Sequence, residues 1–369
     1  MTKNETPIRV CLVAPLPPPY GGIAHWTKMI SDYARERGDV NIEVINTAPR
    51  GRAVYNLNVP LRLMAGSAQL LREVFQLVKL LARKRVDVVH LTTSGDLSVA
   101  RDFIISNLTR VFSVKFVYHI RFGRIPEISL ADTTEWRLIA SVMRRALDVI
   151  VIDPETCAAV KRFAPEVNVT LIPNCVDQNS LLSHEKLATG VKVALFVGWV
   201  VPTKGISELV EAWSILDPHD WVLRIIGPGD LKYREELFRR LKPNNLEFLG
   251  ELSHQHAMAE MAACDLFVLP SHTEGFPNVV VEAMALGRPI LATSVGAIPE
   301  MLDGGAGVLV ESKSVAALTM ALDAVMRDSQ KRERMAQMAH SKAMRLYTID
   351  VIFKAYMSIW RNSATLSKQ

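Results

Sequence analysis

The chain carries VALFVGWVVPTKGISELVEAWSIL at residues 193–216, and this stretch decides the fold class. The five apolar residues 193–197 predict a buried strand, and the apolar residues after Gly205 recur with helical spacing. A loop with two glycines, a proline and a lysine joins the strand to the helix. This order of strand, loop and helix is half of a βαβ unit and predicts a parallel sheet.

The same alternation runs through most of the chain and occurs in two series. The first series of apolar runs covers residues 10–14, 42–45, 86–91, 115–119, 149–152 and 169–172. The second covers residues 193–197, 222–226, 246–248, 266–269, 290–292 and 307–310. A polar stretch at residues 177–190 separates them, and residues 331–360 predict one long final helix. We therefore predict an α/β chain of two Rossmann-like doubly wound domains, residues 1–180 and 181–349, that face a shared ligand-binding cleft.

Composition excludes several classes of protein. With 369 residues, of which 49% are apolar and 22% charged, the chain has ordinary globular composition and is long enough for two cores. It contains no uncharged run near the roughly 18 residues that span a bilayer, and residues 1–9 lack the features of a signal peptide. The four cysteines stand far apart, which predicts reduced thiols and no zinc site. We therefore expect a cytoplasmic protein.

The net charge of +5 belongs to the first half of the chain. Residues 1–180 hold 23 Lys and Arg against 17 Asp and Glu, whereas the remainder holds 20 against 21. Arg83, Lys84 and Arg85 close an amphipathic segment. Cations at a helix end oppose the helix dipole, and they also suit contact with an anionic membrane surface, so both interpretations stay open. Aromatic residues are not interleaved with the basic ones, and we expect no nucleic acid partner.

Two loops follow strands and contain glycines that allow the backbone to approach an anion. Gly21 and Gly22 precede a helical run at residues 24–36, where backbone amides and the helix dipole favour a phosphate. Gly198 and Lys204 lie in the corresponding loop of the second series, and Lys204 can point at a diphosphate. The alternatives are a tight turn without a ligand and a solvated surface lysine. Neither loop has the G-x-G-x-x-G spacing, which argues against a nicotinamide dinucleotide.

The densest chemical signal is SHTEGFPNVVVEAMALG at residues 271–287. A strand runs into a loop that contains Glu274, and Pro277 suits the first turn of a helix that places Glu282 one turn after Asn278. Carboxylates accept hydrogen bonds from vicinal hydroxyls, and a nucleotide sugar offers such hydroxyls on its sugar and on its ribose. The free amides at the helix start would donate to the same ligand. The preference of acidic residues for helix starts accounts for Glu274 but not for a buried Glu282.

Glu274 and Glu282 form the pattern E-x7-E, and glycine, phenylalanine and proline follow the first glutamate. This segment resembles the donor-site signature of the retaining family-4 glycosyltransferases, which have the GT-B fold. The resemblance runs nearly end to end. The other stretches that carry it are Gly21-Gly22, DVVH at residues 87–90, His119, IPNCVD at 172–177, Lys204-Gly205, FLG at 248–250, GRP at 287–289, Gly296 and Glu300.

The resemblance implies roles for individual residues. It assigns Lys204 to the donor diphosphate, Glu274 to a sugar hydroxyl and Glu282 to the ribose hydroxyls. It places His119 near the anomeric carbon, so the implied catalytic residues are His119, Glu274 and Lys204. The implied donor-binding residues are Gly21, Gly22, Gly198, Lys204, Gly275, Phe276, Asn278, Val279 and Glu282.

The resemblance also implies the substrates. The donor would be a UDP- or GDP-linked hexose, and the acceptor a glycan or lipid-linked molecule in cell-envelope polysaccharide synthesis at the inner face of the plasma membrane. The first domain would bind the acceptor, and a helix at residues 350–369 would pack back on that domain through Tyr356 and Trp360. The resemblance favours front-face, retaining transfer, while the sequence itself leaves a covalent route open. No D-x-D triplet is present to hold Mg²⁺, so we expect transfer without a metal or other cofactor.

One residue departs from the family pattern. Trp199 follows Gly198 where the family usually has arginine. Either the second cation on the diphosphate is then absent, or Arg121 or another basic residue replaces it. The departure keeps two other functions open. An epimerase or hydrolase of the same fold would turn over the nucleotide sugar without an acceptor, and a non-catalytic nucleotide-sugar-binding protein would bind it without forming a product.

Overall fold

The computed structural model describes residues 6–18, 21–48, 59–181, 190–241 and 243–366. The chain divides into two compact units, a first unit of Met1–Pro173 with Ile352–Gln369 and a second unit of Asn174–Val351. The boundary therefore falls before Asn174, compared with the predicted boundary after residue 180. The physical reason is that the backbone of Val176 exchanges hydrogen bonds with Tyr347 and Ile349, both of the second unit.

A parallel sheet forms the centre of the first unit. Its strands are β1 (Ile8–Ala14), β2 (Val40–Asn46), β3 (Val88–Thr93), β4 (Lys115–Ile120), β5 (Asp148–Val151) and β6 (Val169–Leu171). They lie in the order β2-β1-β3-β4-β5-β6, as successive parallel pairs. The helices along this part of the chain are α1 (Gly22–Arg37), α2 (Val59–Ala82), α3 (Ser98–Val111), α4 (Ile125–Leu130), α5 (Thr134–Met143) and α6 (Pro154–Phe163).

The second unit repeats the plan. After α7 (Gln178–Leu181), its strands are β7 (Lys192–Val197), β8 (Trp221–Ile226), β9 (Leu246–Gly250), β10 (Leu266–Leu269), β11 (Ile290–Thr293) and β12 (Val308–Val310). They lie in the order β12-β11-β10-β7-β8-β9. The remaining helices are α8 (Ile206–Leu216), α9 (Leu231–Leu241), α10 (His254–Ala263), α11 (Asn278–Ala285), α12 (Ile298–Met301), α13 (Val315–Arg327), α14 (Ser329–Leu346) and α15 (Ile349–Leu366).

All twelve predicted strands are present. Central strands such as β10 are apolar along their whole length because the sheet is covered on both faces. Every residue of β3, β10 and β11 is buried. The four cysteines are buried and free. Across the described ranges, none of the helices combines the length and the apolar character needed to cross a membrane.

Two helix predictions are wrong in detail. The single helix predicted at residues 331–360 is two helices, because Thr348 forms a β-bridge with Val176 between α14 and α15. Pro277 lies outside α11 rather than in its first turn, since its φ of −72° and ψ of 119° are extended. It acts as the N-cap, and the helix begins at Asn278.

From Ile352 onward, α15 belongs to the first unit. Tyr356 and Trp360 on this helix are completely buried. The ring of Tyr356 lies 5.6 Å from the ring of Trp26 on α1, and Phe353 contacts Tyr33 on the same helix at 4.9 Å. The last helix thereby contributes aromatic side chains to the core of the first unit.

Candidate functional site

Glu274 lies in the loop between β10 and α11, where its carboxylate is held by two donors. Ser271, which is completely buried, donates its hydroxyl to Glu274 Oε1 at 2.6 Å. Lys204 Nζ donates to the same oxygen at 2.5 Å. Two of the predicted catalytic residues therefore form one ion pair. Since charge-assisted hydrogen bonds are among the stronger ones, this pair fixes the carboxylate in a defined direction.

The backbone of this loop is anchored on both sides. Thr293 Oγ1, at the end of β11, donates to the carbonyl oxygen of Ser271 at 2.6 Å. The amide of His272 donates to the carbonyl oxygen of Thr203 at 2.9 Å, which ties the loop to the segment that carries Lys204. The two loops that follow β7 and β10 are thus joined through backbone as well as side chains.

Gly296 supports the same loop from the next βα connection. Its φ is +54°, and a Cβ atom built on it would lie 2.1 Å from the carbonyl oxygen of Glu274. The neighbouring Ala297 donates its amide to the carbonyl oxygen of Gly275 at 2.9 Å. Only glycine permits this close approach, so Gly296 is required by the shape of the loop.

Phe276 is buried and fixed through its backbone. Asn174 donates its side-chain amide to the carbonyl oxygen of Phe276 at 2.7 Å. Tyr347 packs its ring against the ring of Phe276 at 5.4 Å in an edge-on arrangement. The sequence pattern at residues 172–177 pointed to this stretch but did not indicate that Asn174 anchors the glutamate loop.

Glu282 lies on α11 and is 6% exposed. His254 Nε2, on the first residue of α10, lies 3.0 Å from Glu282 Oε1. This hydrogen bond, with the charge of the carboxylate, raises the pKa of His254 despite the opposing effect of burial. Sequence reasoning missed His254, because no spacing relates two residues on different helices. The one local signal is Ser253, a helix N-cap that marks where α10 begins.

The start of α11 brings further donors to the loop. Gly275 and Phe276 precede Pro277, which has no N–H, and Asn278 and Val279 are the first two residues of the helix. The first amides of a helix have no carbonyl partner within it, and the helix dipole adds partial positive charge there. This end of α11 is therefore suited to an oxygen-rich or anionic ligand.

The loop after β7 carries the remaining predicted residues of the second unit. Lys204 ends a short 3-10 helix, Pro202–Lys204, and Gly205 follows it with a φ of +69°. A Cβ atom on Gly205 would lie 2.0 Å from the carbonyl oxygen of Pro270, which explains the glycine. Gly198 leads into Trp199, whose side chain is 56% exposed. Trp199 thus exposes a large aromatic side chain in the same loop as Lys204.

The other predicted residues lie in the first unit. Gly21 is the N-cap of α1 and Gly22 its first residue, while the preceding Pro19 and Tyr20 lie outside the described residues. His119 lies in β4 next to its last residue and is completely buried. Burial and the charge of Arg121 lower the pKa of His119 well below its usual value, so its imidazole is neutral.

Two family models match the chain. The model of Glycosyltransferase Family 4 matches residues 20–180, and the model of Glycosyl transferases group 1 matches residues 177–342. The chain belongs to the family-4, group 1 glycosyltransferases. The resemblance read from the E-x7-E segment is therefore confirmed.

Two curated relatives illustrate the range of similarity within these glycosyltransferases. The chain is 36% identical over 205 residues to the phosphatidyl-myo-inositol mannosyltransferase of Mycobacterium leprae. The aligned residues cover 53% of the chain and 54% of that relative. It is 22% identical over 309 residues to the capsular polysaccharide biosynthesis glycosyltransferase CapM of Staphylococcus aureus, and these residues cover 79% of the chain and 80% of CapM. The chain spans about half or less of the length of the curated relatives that are 30–39% identical to it.

Solved structures share the fold. Anabaena HepE, solved in complex with UDP-glucose, matches with a TM-score of 0.72 and 19% identity over 96% of the chain and all of HepE. At this identity the likeness concerns the fold alone. It confirms the predicted α/β class and the GT-B fold.

Proposed function

We propose that this chain transfers a hexose from a nucleoside diphosphate sugar to a glycan or lipid-linked acceptor, in the synthesis of a cell-envelope polysaccharide or glycolipid. The observation that carries the proposal is the joined pair of loops in the second unit. They place a lysine, a glutamate and a helix N-terminus together, with a second, buried glutamate on the same helix. A mannosyltransferase and a capsular polysaccharide glycosyltransferase among the relatives support the substrate class.

Each group suits one part of a nucleotide sugar. Lys204 and the first amides of α11 supply positive charge where the diphosphate gains negative charge as it leaves. Glu274 accepts from a sugar hydroxyl, and Glu282 accepts from the ribose hydroxyls. In the free protein, Lys204 and Glu274 neutralise each other. When a donor binds, Lys204 exchanges the carboxylate for a phosphate oxygen, and Glu274 exchanges the ammonium group for a sugar hydroxyl.

The proposed reaction retains the anomeric configuration and uses no metal. The bond between the anomeric carbon and the leaving phosphate oxygen breaks, and a bond to the acceptor oxygen forms on the same face of the sugar. The proton of the acceptor hydroxyl passes to the leaving phosphate oxygen, so no protein nucleophile is required. The sequence has no D-x-D triplet for Mg²⁺, and Lys204 with the helix amides takes over the role of a cation on the diphosphate.

The test is a transfer assay with radiolabelled UDP-glucose and GDP-mannose, bacterial lipid extract as the acceptor source, and EDTA in every reaction. Wild type is expected to label lipid or glycan with retained anomeric configuration, and Glu274→Gln to lose at least about a hundredfold in rate. Glu247→Gln, an exposed glutamate of β9 in the same unit, is the matched control and should keep full activity. Release of free sugar or an epimer without acceptor would indicate a hydrolase or epimerase. Binding without any product would indicate a binding protein.

We further propose that the first unit rests on an anionic lipid surface. On α2, Leu71 and Phe75 are one helical turn apart and each is 70% exposed. Arg83, Lys84 and Arg85 directly follow this helix and are exposed. Apolar side chains beside a cluster of cations suit the boundary of a membrane with anionic headgroups.

Vesicle flotation tests the membrane surface. Wild type is expected to float with vesicles that contain phosphatidylglycerol and to be released by salt. Both Leu71→Ser with Phe75→Ser and charge reversal of Arg83, Lys84 and Arg85 to glutamate should abolish flotation. Charge reversal of Arg239 and Arg240, exposed on α9, is the control. The proposal would be contradicted if flotation were unaffected by salt and by the substitutions on α2 and at Arg83, Lys84 and Arg85.

A further inference from the structure

A continuous row of polar side chains crosses the interior of the first unit. The indole Nε1 of Trp360 lies 3.1 Å from His90 Nδ1, and His90 Nε2 lies 3.1 Å from His119 Nδ1. His119 Nε2 in turn lies 3.3 Å from an Nη atom of Arg121. Trp360, His90 and His119 are completely buried, and Arg121 is 8% exposed. The row therefore runs from the last helix, through β3, to the end of β4.

The direction of the hydrogen bonds follows from the first donor. An indole nitrogen can only donate, so His90 Nδ1 accepts from Trp360 and carries no proton. Burial and the charge of Arg121 lower the pKa of His90 to about 3, so this ring is neutral and carries its one proton on Nε2. That proton is donated to His119 Nδ1, which leaves the proton of the neutral His119 on its own Nε2.

This arrangement brings two donors together at the far end of the row. The Nε2–H of His119 and the guanidinium of Arg121 both donate, yet they lie 3.3 Å apart. Reversing both imidazoles would let His119 accept from Arg121 but would set the proton of His90 Nδ1 against the indole of Trp360. The hydrogen bond between Trp360 and His90 is shorter than the contact between His119 and Arg121, and both of its residues are completely buried. The two opposed donors therefore stay at the contact between His119 and Arg121, which is the longest in the row and the least buried.

Aromatic rings hold the participants in place. The ring of Trp26 lies 5.1 Å from the ring of His119 and nearly perpendicular to it, and the guanidinium of Arg121 lies 4.2 Å above the same indole ring. Tyr356 stacks on Trp360 with ring centres 5.8 Å apart. An oxygen atom that accepts from both His119 and Arg121 would resolve the mismatch, and a ligand can supply such an atom.

We propose that Trp360 and His90 are positioning residues that fix His119 as an Nε2–H donor toward a ligand oxygen, either a sugar hydroxyl or a phosphate oxygen. This inference rests on the proposed function for the identity of the ligand. It gives α15 a purpose beyond packing, because the indole at residue 360 determines which nitrogen of His119 carries the proton. His119 then acts on the ligand as a hydrogen-bond donor and not as a general base.

Nitrogen-15 NMR of histidine-labelled protein tests the inference without a ligand. The His119 and His90 signals are assigned by His119→Asn and His90→Phe. In wild type, both rings are expected to carry the proton on Nε2. In Trp360→Phe, the protons of both rings should move to Nδ1, because His119 can then accept from Arg121. Trp136→Phe removes another buried indole of the same unit and should leave both rings unchanged. A proton on His119 Nδ1 in wild type would overturn the proposal.

Kinetics separate a positioning role from a structural one. Trp360→Phe should lower kcat/KM about tenfold, the effect of one misdirected hydrogen bond, while Trp136→Phe should not. Loss of activity in Trp360→Phe with unchanged protonation of both rings would also overturn the proposal.

Ligand titrations identify the oxygen and separate the two proposals. A change of the His119 Nε2 signal with UDP-glucose or GDP-mannose, but not with UDP or GDP, assigns a sugar oxygen. A change with all four assigns a phosphate oxygen, and no change with nucleotides that raise Tm would overturn the inference. If none of the four raises Tm, the proposed function fails. The NMR signals of His90 and His119 in the free protein then still show whether Trp360 determines which nitrogen of each ring carries the proton.

Discussion

Replacement of Gly296 by alanine tests whether the loop of Glu274 has the shape on which the proposed donor site depends. Gly304 provides a matched control, since both glycines lie in the second unit with positive φ, +54° and +66° respectively. Apart from its neighbours in the chain, none of the described residues comes within 4 Å of a Cβ on Gly304, whereas a Cβ on Gly296 would lie 2.1 Å from the carbonyl oxygen of Glu274. The two alanine variants share the backbone strain and differ in the clash.

The magnitudes follow from these two contributions. Alanine in the left-handed region costs about 1 kcal/mol, so Gly304→Ala should lower Tm by about 2–4 °C. Gly296→Ala adds about 2 kcal/mol of overpacking and should lower Tm by roughly 6–12 °C. To relieve the clash, the backbone of Glu274 must move by about 1 Å. Losing one charge-assisted hydrogen bond to the sugar would then weaken UDP-glucose binding roughly tenfold to a hundredfold.

The assay combines differential scanning fluorimetry with isothermal titration of UDP-glucose and of UDP. Gly304→Ala should bind both ligands as wild type does. Gly296→Ala should lose affinity for UDP-glucose more than for UDP, because Glu274 is assigned to the sugar. Equal Tm for the two variants, or wild-type affinity in Gly296→Ala, would refute the argument that the clash sets the loop.

Three further predictions follow from single contacts. Asn174→Ala removes the side-chain amide that donates to the buried carbonyl of Phe276 and should lower the free energy of unfolding by about 1–3 kcal/mol. Asn244→Ala, at an exposed hydrogen bond, should lower it by less than about 0.5 kcal/mol, and differential scanning calorimetry compares the two variants. The raised pKa of His254 means that its pairing stabilises the protein below pH 6.5 and that this contribution is lost as pH rises through the higher folded pKa. His254→Gln should therefore narrow the Tm difference between pH 6 and pH 9, and an unchanged difference would count against the pair. The pKa of His90, lowered from 6.5 to about 3, means that the unfolded chain takes up a proton that the folded ring does not. His90 alone should therefore lower the stability by about 1.4 kcal/mol per pH unit from pH 6.5 down toward pH 3. Because the pKa of His119 is lowered as well, His90→Phe should reduce the slope of stability against pH in urea-unfolding data by about that amount and not abolish it.

The fold could be predicted because its signal is local. A strand such as β10 is buried on both faces, so its apolar run is visible without knowledge of its neighbours. Breaks caused by distant contacts were not predictable. The interruption between α14 and α15 depends on hydrogen bonds to Val176, far away in the sequence, and no glycine or proline marks it.

The candidate site was predictable to the extent that it lies in contiguous loops. The E-x7-E segment and Lys204 follow strands of one parallel sheet, and strand ends of one sheet meet at one edge. His254 and Asn174 reach the site from other elements, and only the folded chain reveals them. Trp360 was expected to pack, and its hydrogen bond to His90 depends on the rotation of α15, which no sequence pattern specifies.

The most direct test of the donor site is a thermal-shift titration of UDP, GDP, UDP-glucose and GDP-mannose, with EDTA present, on wild type, Glu282→Gln and Glu247→Gln. One nucleotide family is expected to raise the Tm of wild type and of Glu247→Gln, and Glu282→Gln should need at least about tenfold more ligand for the same shift. No shift with any nucleotide, or equal shifts in all three proteins, would contradict the assignment of Glu282 and its loop to a nucleotide-sugar donor.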